Sequence, residues 1–252
     1  IGLTYRREEQ VVAWHQHKLG GSFTTGGVTT NHGIVENIAV IPGELNQDNL
    51  YMVVKRTING ATRRYVEILS DIDFGTDIQD AIFVDSSLTY SGSSTSSLSG
   101  LDHLEGQTVS ILEEGAAHPD KTVSSGSIAT DRATTKAQVG LGYTSTLRTV
   151  RLEAGSASGT AQGKIKKIHS VIVRFFRTVG ASVGTSTANV DTIPFRDSSD
   201  PTDTAVPLFT GDKTIEAQPS WDTEGAIVVQ QTQALPMTIV GIYPRVVVQD
   251  FD

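Results

Sequence analysis

The sequence predicts an all-β protein made of antiparallel sheets. Three observations predict it. Short β-branched and aromatic runs alternate with Gly, Asn, Asp and Ser, which is the strand-and-turn pattern. Stretches repeating apolar residues at i, i+3, i+4 and i+7 over three turns are nearly absent, so helix signals are few. The 252 residues are 38% hydrophobic and only 19% charged, with 24 Gly, and uncharged polar residues fill the gaps. That length suffices for one large β domain or two modest ones with a buried core.

Val11 to His17 reads as the first strand, ended by Gly20-Gly21. Ile34 to Ile41 is the next, stopped by Pro42-Gly43. Leu50 to Ile58, Asn59-Gly60 and Ala61 to Leu69 read as a β-hairpin. Asn-Gly suits a type I′ turn because both central residues need positive φ. Asp71 to Asp80 is an acidic loop, and Ala81 to Tyr90 adds a strand. Ser91 to Gly100 (SGSSTSSLSG) reads as a flexible linker, and a boundary is expected there.

Gln107 to Leu112 resumes the strand pattern, with a turn at Glu114-Gly115. Short strands at Lys121–Val123, Ser127–Thr130, Ala137–Leu141 and Thr146–Leu152 follow. Such tight spacing predicts a small, strongly curved sheet or barrel. Gly155 to Gly163 is a second flexible stretch. Lys164 to Val179 is the longest β run. Its two alternating sets are both partly apolar, which predicts a central strand. One set is Ile168, Ser170, Ile172, Arg174 and Phe176; the other is His169, Val171, Val173, Phe175 and Arg177. Ile193–Phe195, Pro207–Ile215, Ala226–Gln231 and Pro236–Val248 supply the last strands, with Gly241 expected to mark a bulge. The expected subdomains are 1–90, an inserted 101–152, and 164–252 returning to complete the first.

Composition removes several function classes. There is no Cys, so disulfide scaffolds, zinc fingers and thiol chemistry are excluded. There is no collagen period, and no apolar run approaches the ~18 residues of a membrane helix. A net charge of −8 and a pI of about 5.2 argue against a general nucleic-acid binder. Lys164-Ile165-Lys166-Lys167 is the best local basic spot, and a solvated strand face explains it more simply. The chain opens Ile1-Gly2-Leu3-Thr4, without Met or a signal segment, and reads as the C-terminal part of a longer protein.

Candidate chemistry is sparse. His15 and His17, two apart on a strand, face one side and could hold a metal, but no third ligand follows at a telling spacing. Asp102, His103 and Glu105 place an imidazole beside carboxylates, as a general base needs. No G-x-S-x-G accompanies them, and a turn explains them as well. Asp71, Asp73, Asp77 and Asp80 form a carboxylate cluster without the grammar of a calcium loop. Asp73-Phe74-Gly75 matches a kinase triplet with every other kinase motif missing. The Gly-rich segments 20–27 and 155–163 fit no phosphate-binding pattern. No catalytic, cofactor-binding or metal residue is assigned.

Six strings carry more information than these motifs. They are Leu3 to Gly21 (LTYRREEQVVAWHQHKLGG), Val35 to Gly43 (VENIAVIPG) and Val53 to Leu69 (VVKRTINGATRRYVEIL). Gly100 to Leu112 (GLDHLEGQTVSIL), Arg151 to His169 and Pro207 to Ile215 (PLFTGDKTI) complete the set. In this order they resemble the tail tubular protein B, or nozzle, family of podovirus-type bacteriophages and prophages. The resemblance covers nearly the whole chain. It implies a structural virion protein of the phage tail, made in the bacterial cytoplasm, with no catalysis and no cofactor. Copies would form a ring, a hexamer in the family, around the DNA exit channel. Neighbouring adaptor, fibre or needle proteins would be its partners, and DNA would pass without specific binding. No membrane contact is implied. The sheets would be propeller-blade-like or sandwich-like, and the Asn59-Gly60 hairpin would suit a blade. Residues 101–152 resemble a β-barrel half-domain of ubiquitin-activating enzymes, a likeness of fold only.

The acidic balance is compatible with a channel wall that repels phosphate. The alternative is a phage-borne receptor- or carbohydrate-binding module. Trp14, Trp221, Tyr90 and Tyr143 would be its stacking platforms, with core packing as their simpler role. A tail-associated hydrolase has no motif behind it.

Overall fold

The computed structural model describes residues 1–43, 48–153, 159–216 and 221–249. These form antiparallel β-sheets and two short 3-10 turns. The chain folds into two compact units. The first comprises residues 1–73, 84–111 and 119–143; the second comprises 74–83, 112–118 and 144 onward. Among the described residues no helix is long and apolar enough to cross a membrane.

The first unit begins with two hairpins. Strands β1 (Gly2–Arg6) and β2 (Val11–His15) pair only with each other, as do β3 (Phe23–Thr25) and β4 (Val28–Thr30). A three-stranded meander follows: β5 (Ile34–Pro42), β6 (Asp48–Ile58) and β7 (Ala61–Ile68). Its β6–β7 turn has φ of 48° at Asn59 and 73° at Gly60, the type I′ geometry expected of Asn-Gly. A bulge between Val35 and Asn37 leaves Glu36 as the extra residue of β5.

The core of this unit lies on a second sheet. Strands β8 (Asp85–Ser99), β9 (Thr108–Glu113), β10 (Ala116–Thr122) and β11 (Ser127–Leu141) lie in the order β10-β9-β11-β8. The order is open at both ends, so the sheet is not the barrel that close strand spacing suggested. Both long strands are bulged instead: the β8–β11 register shifts three times, which bends the sheet without closing it. Leu98, Leu101, Leu104, Val109, Ile111, Val139 and Leu141 are among the buried residues it packs together.

The Ser-rich segment 91–100 is not a linker. It is the second half of edge strand β8. An edge strand with one wet face needs few apolar residues, and Leu88, Tyr90 and Leu98 suffice to seat it on the core. Tyr90 also lies across Gly92: a Cβ there would meet the Tyr90 hydroxyl at 3.1 Å. The ring covers backbone that glycine would otherwise leave bare.

The second unit is a sandwich of two sheets. One contains β12 (Ser145–Arg148), β14 (Ser182–Ser186), β15 (Asn189–Thr192) and β18 (Val228–Gln231), in the order β12-β18-β14-β15. The other is built around β13 (Lys166–Thr178), flanked by β16 (Phe209–Glu216), β17 (Trp221–Asp222) and β19 (Ile239–Val248). The central position expected of the long β run is therefore observed. No strand of either sheet pairs with β1 to β8 among the described residues.

Strict alternation along β13 fails at two places, at His169 and again between Phe175 and Thr178, where the register against β16 shifts. The register against β19 shifts between Ile168 and Ser170, so His169 is the bulged residue. The shift puts Ile168 in the same core as Val171, Val173 and Phe175. Ala181, Val183, Ile227 and Val229 cover them from the facing sheet, and Phe195 packs edge-on against Phe175 with centroids 5.5 Å apart. A further irregularity, between Ile239 and Gly241 of β19, falls where a bulge was expected. Of the stretch 155–163, residues 155–158 lie outside the described residues; in the rest, the Thr160 hydroxyl and the N–H of buried Ala161 donate to the Glu153 carboxylate at 2.6 and 2.7 Å.

Candidate functional site

Most of the side chains singled out in the sequence are engaged in local structure. His103 sits on a 3-10 turn, Asp102–Leu104, where its Nε2 lies 3.0 Å from the Ser86 carbonyl. Its own carbonyl accepts a hydrogen bond from the Tyr65 hydroxyl at 3.0 Å. The Glu105 carboxylate accepts from the backbone N–H groups of Ser125 and Gly126 at 3.0 and 2.8 Å, holding the turn before β11. These groups shape the loop before β11. Asp71 accepts from the N–H of Asp73, and Asp77 caps the 3-10 turn Ile78–Asp80 by accepting from Gln79. Among the described residues no group of three or more His, Cys, Asp or Glu could hold a metal ion.

The basic spot dissolves in the structure. Lys166 is 1% exposed, and its Nζ donates to the Thr223 carbonyl at 3.0 Å. Neighbouring Lys167 lies over the Trp221 ring, 5.9 Å from its centroid. A row of phosphate-facing lysines is not formed.

The four aromatic candidates separate into two kinds. Trp14 and Trp221 are exposed, at 71% and 51%. Tyr90 packs against the core and donates its hydroxyl to the Ser93 carbonyl. Burial, with a smaller contribution from Asp85, pushes the Tyr143 phenol up to about 12.

Sequence reasoning missed the densest polar cluster of the first unit. Arg56 is fully buried on β6. Its Nε donates to the Gly20 carbonyl at 2.8 Å, and its guanidinium grips both oxygens of Glu67 on β7. The Gly20 N–H donates to Asp85 at 2.6 Å. Burial raises the Asp85 carboxyl above its usual range, opposed by that N–H and by Arg56. Gly20 has no room for a side chain, because a Cβ would lie 2.7 Å from the Leu141 carbonyl oxygen. The available signal was phase: Arg56 shares its alternation with Val54 and Ile58, both buried. This cluster ties loop 20–33, the meander and β8 together, and it has no reactive group aimed at a void.

What remains uncovered is apolar. On the β1–β2 hairpin, Leu3 pairs with Trp14 and Tyr5 with Val12, so all four share one face, and all are exposed. On the meander, the end of β6 bearing Val54, Arg56 and Ile58 is buried. At the opposite end, Ile38 and Val40 are exposed on one face, and Ile41, Val66 and Ile68 on the other. Contiguous apolar patches are uncommon on the surfaces of monomeric proteins.

The last of the singled-out side chains are His15 and His17, which contact each other. His15 Nδ1 lies 2.7 Å from His17 Nε2, and His15 Nε2 lies 3.3 Å from the Thr4 hydroxyl. Burial and the His15 ring lower the His17 imidazole below its usual value. Compared with known proteins, the chain matches no family model, and no curated protein matches it.

Proposed function

We propose that the chain is a structural virion protein, a phage tail component of the nozzle or tail-tube type, which assembles around the DNA exit channel and performs no catalysis. The observation that carries this reading is the collinear run of six strings from Leu3 to Ile215 that resemble tail tubular protein B. The exposed apolar faces of β1–β2 and of β5–β6–β7 support it, because an assembly protein needs uncovered surface of that chemistry. The net charge of −8 supports a wall past which DNA slides rather than binds.

Negative-stain microscopy with light-scattering mass on the protein tests the reading. A closed ring with an axial hole, alone or with an adaptor, is the expected result. A persistent monomer or trimer that binds a glycan would overturn it. That outcome belongs to the receptor-binding reading, which Trp14 and Trp221 favour by being exposed, whereas Tyr90 and Tyr143 drop out of it.

A further inference from the structure

The β1–β2 hairpin turns two histidines into a single polar device. Position i, i+2 on one strand places both rings on the same face. His15 stands opposite Gly2 in the ladder. A Cβ at residue 2 would meet His15 Cε1 at 2.2 Å, so the imidazole lies across β1 in space that only glycine leaves open. From there His15 Nε2 points at the Thr4 hydroxyl and Nδ1 points at His17 Nε2, 2.7 Å away. The two rings meet edge to face, with an interplanar angle of 77°. Two ring nitrogens that close must share a proton or another electrophile between their lone pairs.

We propose that His15 and His17 form a two-imidazole chelate for a borderline divalent transition-metal ion, bound through His15 Nδ1 and His17 Nε2. The metal takes the place of the shared proton. Metal–imidazole bonds of about 2.0–2.1 Å require donor nitrogens roughly 2.9–3.3 Å apart for angles between square and tetrahedral. The rings therefore need to open by only a few tenths of an ångström. Thr4 supplies the outer contact that such sites use. Its hydroxyl, 3.3 Å from His15 Nε2, is able to accept the Nε2 proton of the tautomer that leaves the Nδ1 lone pair to the metal. No third His, Cys, Asp or Glu joins the pair among the described residues, so water completes the coordination. Two neutral nitrogens and water suit Cu2+ best, then Ni2+ and Zn2+, and do not suit Mg2+ or Ca2+. A metal here would also staple a hairpin of only two strands, an element that is marginal by itself.

Calorimetric titration of the full chain with Cu2+ in a non-coordinating buffer tests this, alongside proton NMR of the six histidines. One saturable site per chain is expected, weakened at least tenfold in both His15→Gln and His17→Gln. Thr4→Val is expected to weaken it several-fold without removing either ligand, and His169→Gln to leave it unchanged. Substoichiometric Cu2+ should broaden the His15 and His17 ring signals first. Uniform broadening of all six histidines, or an affinity unchanged in His15→Gln or in His17→Gln, would overturn the proposal. Both substituted side chains are exposed, and unchanged circular dichroism identifies folded variants.

Discussion

The meander β5–β6–β7 and the β16–β13–β19 sheet start from the same kind of sequence and end differently. Each places a long strand with alternating apolar residues between two neighbours. In the second unit the inward set Val171, Val173 and Phe175 is sealed by a facing sheet that brings Val183 and Val229. In the meander only Val54, Arg56 and Ile58 are sealed, and Ile38, Val40 and Val66 remain 61%, 61% and 72% exposed. Alternation therefore establishes which residues share a face. Whether the face is covered depends on a second layer that no local pattern encodes. An uncovered apolar sheet is an aggregation hazard unless another surface meets it.

The largest effect tests the sealed side. Phe175→Ala opens a cavity between the two sheets of the sandwich and is expected to cost about 3–5 kcal/mol, read by urea denaturation. Next comes Arg56→Ala, which leaves Glu67 and the Gly20 carbonyl without their donor. A cost of roughly 3 kcal/mol is expected, the low end for a broken buried pair because Glu67 keeps some exposure. A loss below about 1 kcal/mol in either variant would mean that these cores are looser than their packing implies.

The open side should behave in the opposite way. The double substitution Ile38→Asp with Val40→Asp changes exposed positions, so stability of the isolated chain should stay within about 0.5 kcal/mol per site. Ring formation should be lost. A stable variant that still closes rings would show that this end of the meander is not an assembly surface.

Legibility in the sequence follows the same division. The Asn59-Gly60 hairpin and the central place of Lys166–Thr178 were readable because turn chemistry and apolar phase are local. The bulge at His169 was not, since a register shift is decided by the partner strand. Strand β8 was misread because its 91–100 segment has almost no apolar signal, and its place at an edge makes that composition viable. Among site candidates, the His15–His17 spacing was legible, but the Gly2 gap and the Thr4 contact depend on β1 pairing. The Arg56 cluster brings together four segments distant in sequence, which single-strand patterns do not reveal.

A smaller effect concerns Asp85. Its folded value is raised by burial, so its contribution to stability is full when the carboxyl is protonated and is lost as pH rises through that value. Asp85→Asn keeps an acceptor for the Gly20 N–H and has no charge to bury. The variant should be the more stable of the two at neutral pH, with the gap closing on acidification. A gap independent of pH would assign the difference to packing.

The smallest effect lies where the meander passes from its sealed end to its open end. Glu36, the bulged residue of β5, accepts from Arg64 at 2.6 and 3.2 Å and pairs with Lys55 at 2.9 Å. The Arg64 hydrogen bonds, followed by Lys55, hold its carboxyl at about 2. For a depressed carboxyl the sign is reversed. Its stabilisation is present above the usual carboxylate range and is lost as pH falls toward about 2. Because these side chains are solvated, the effect is small and screened by salt. The sandwich has a counterpart in Arg174 and Asp212, paired across β13 and β16 at 2.7 and 2.9 Å, with the Asp212 carboxyl also lowered. Glu36→Gln and Asp212→Asn should each flatten a shallow acid limb of the stability profile by lowering stability slightly at neutral pH, with no difference from the parent at low pH. The sandwich has a second sheet to hold its register, whereas β5 has only β6 beside it. A neutral-pH loss clearly larger in Glu36→Gln than in Asp212→Asn would therefore mean that the ion triad, rather than packing, fixes the register that presents Ile38 and Val40.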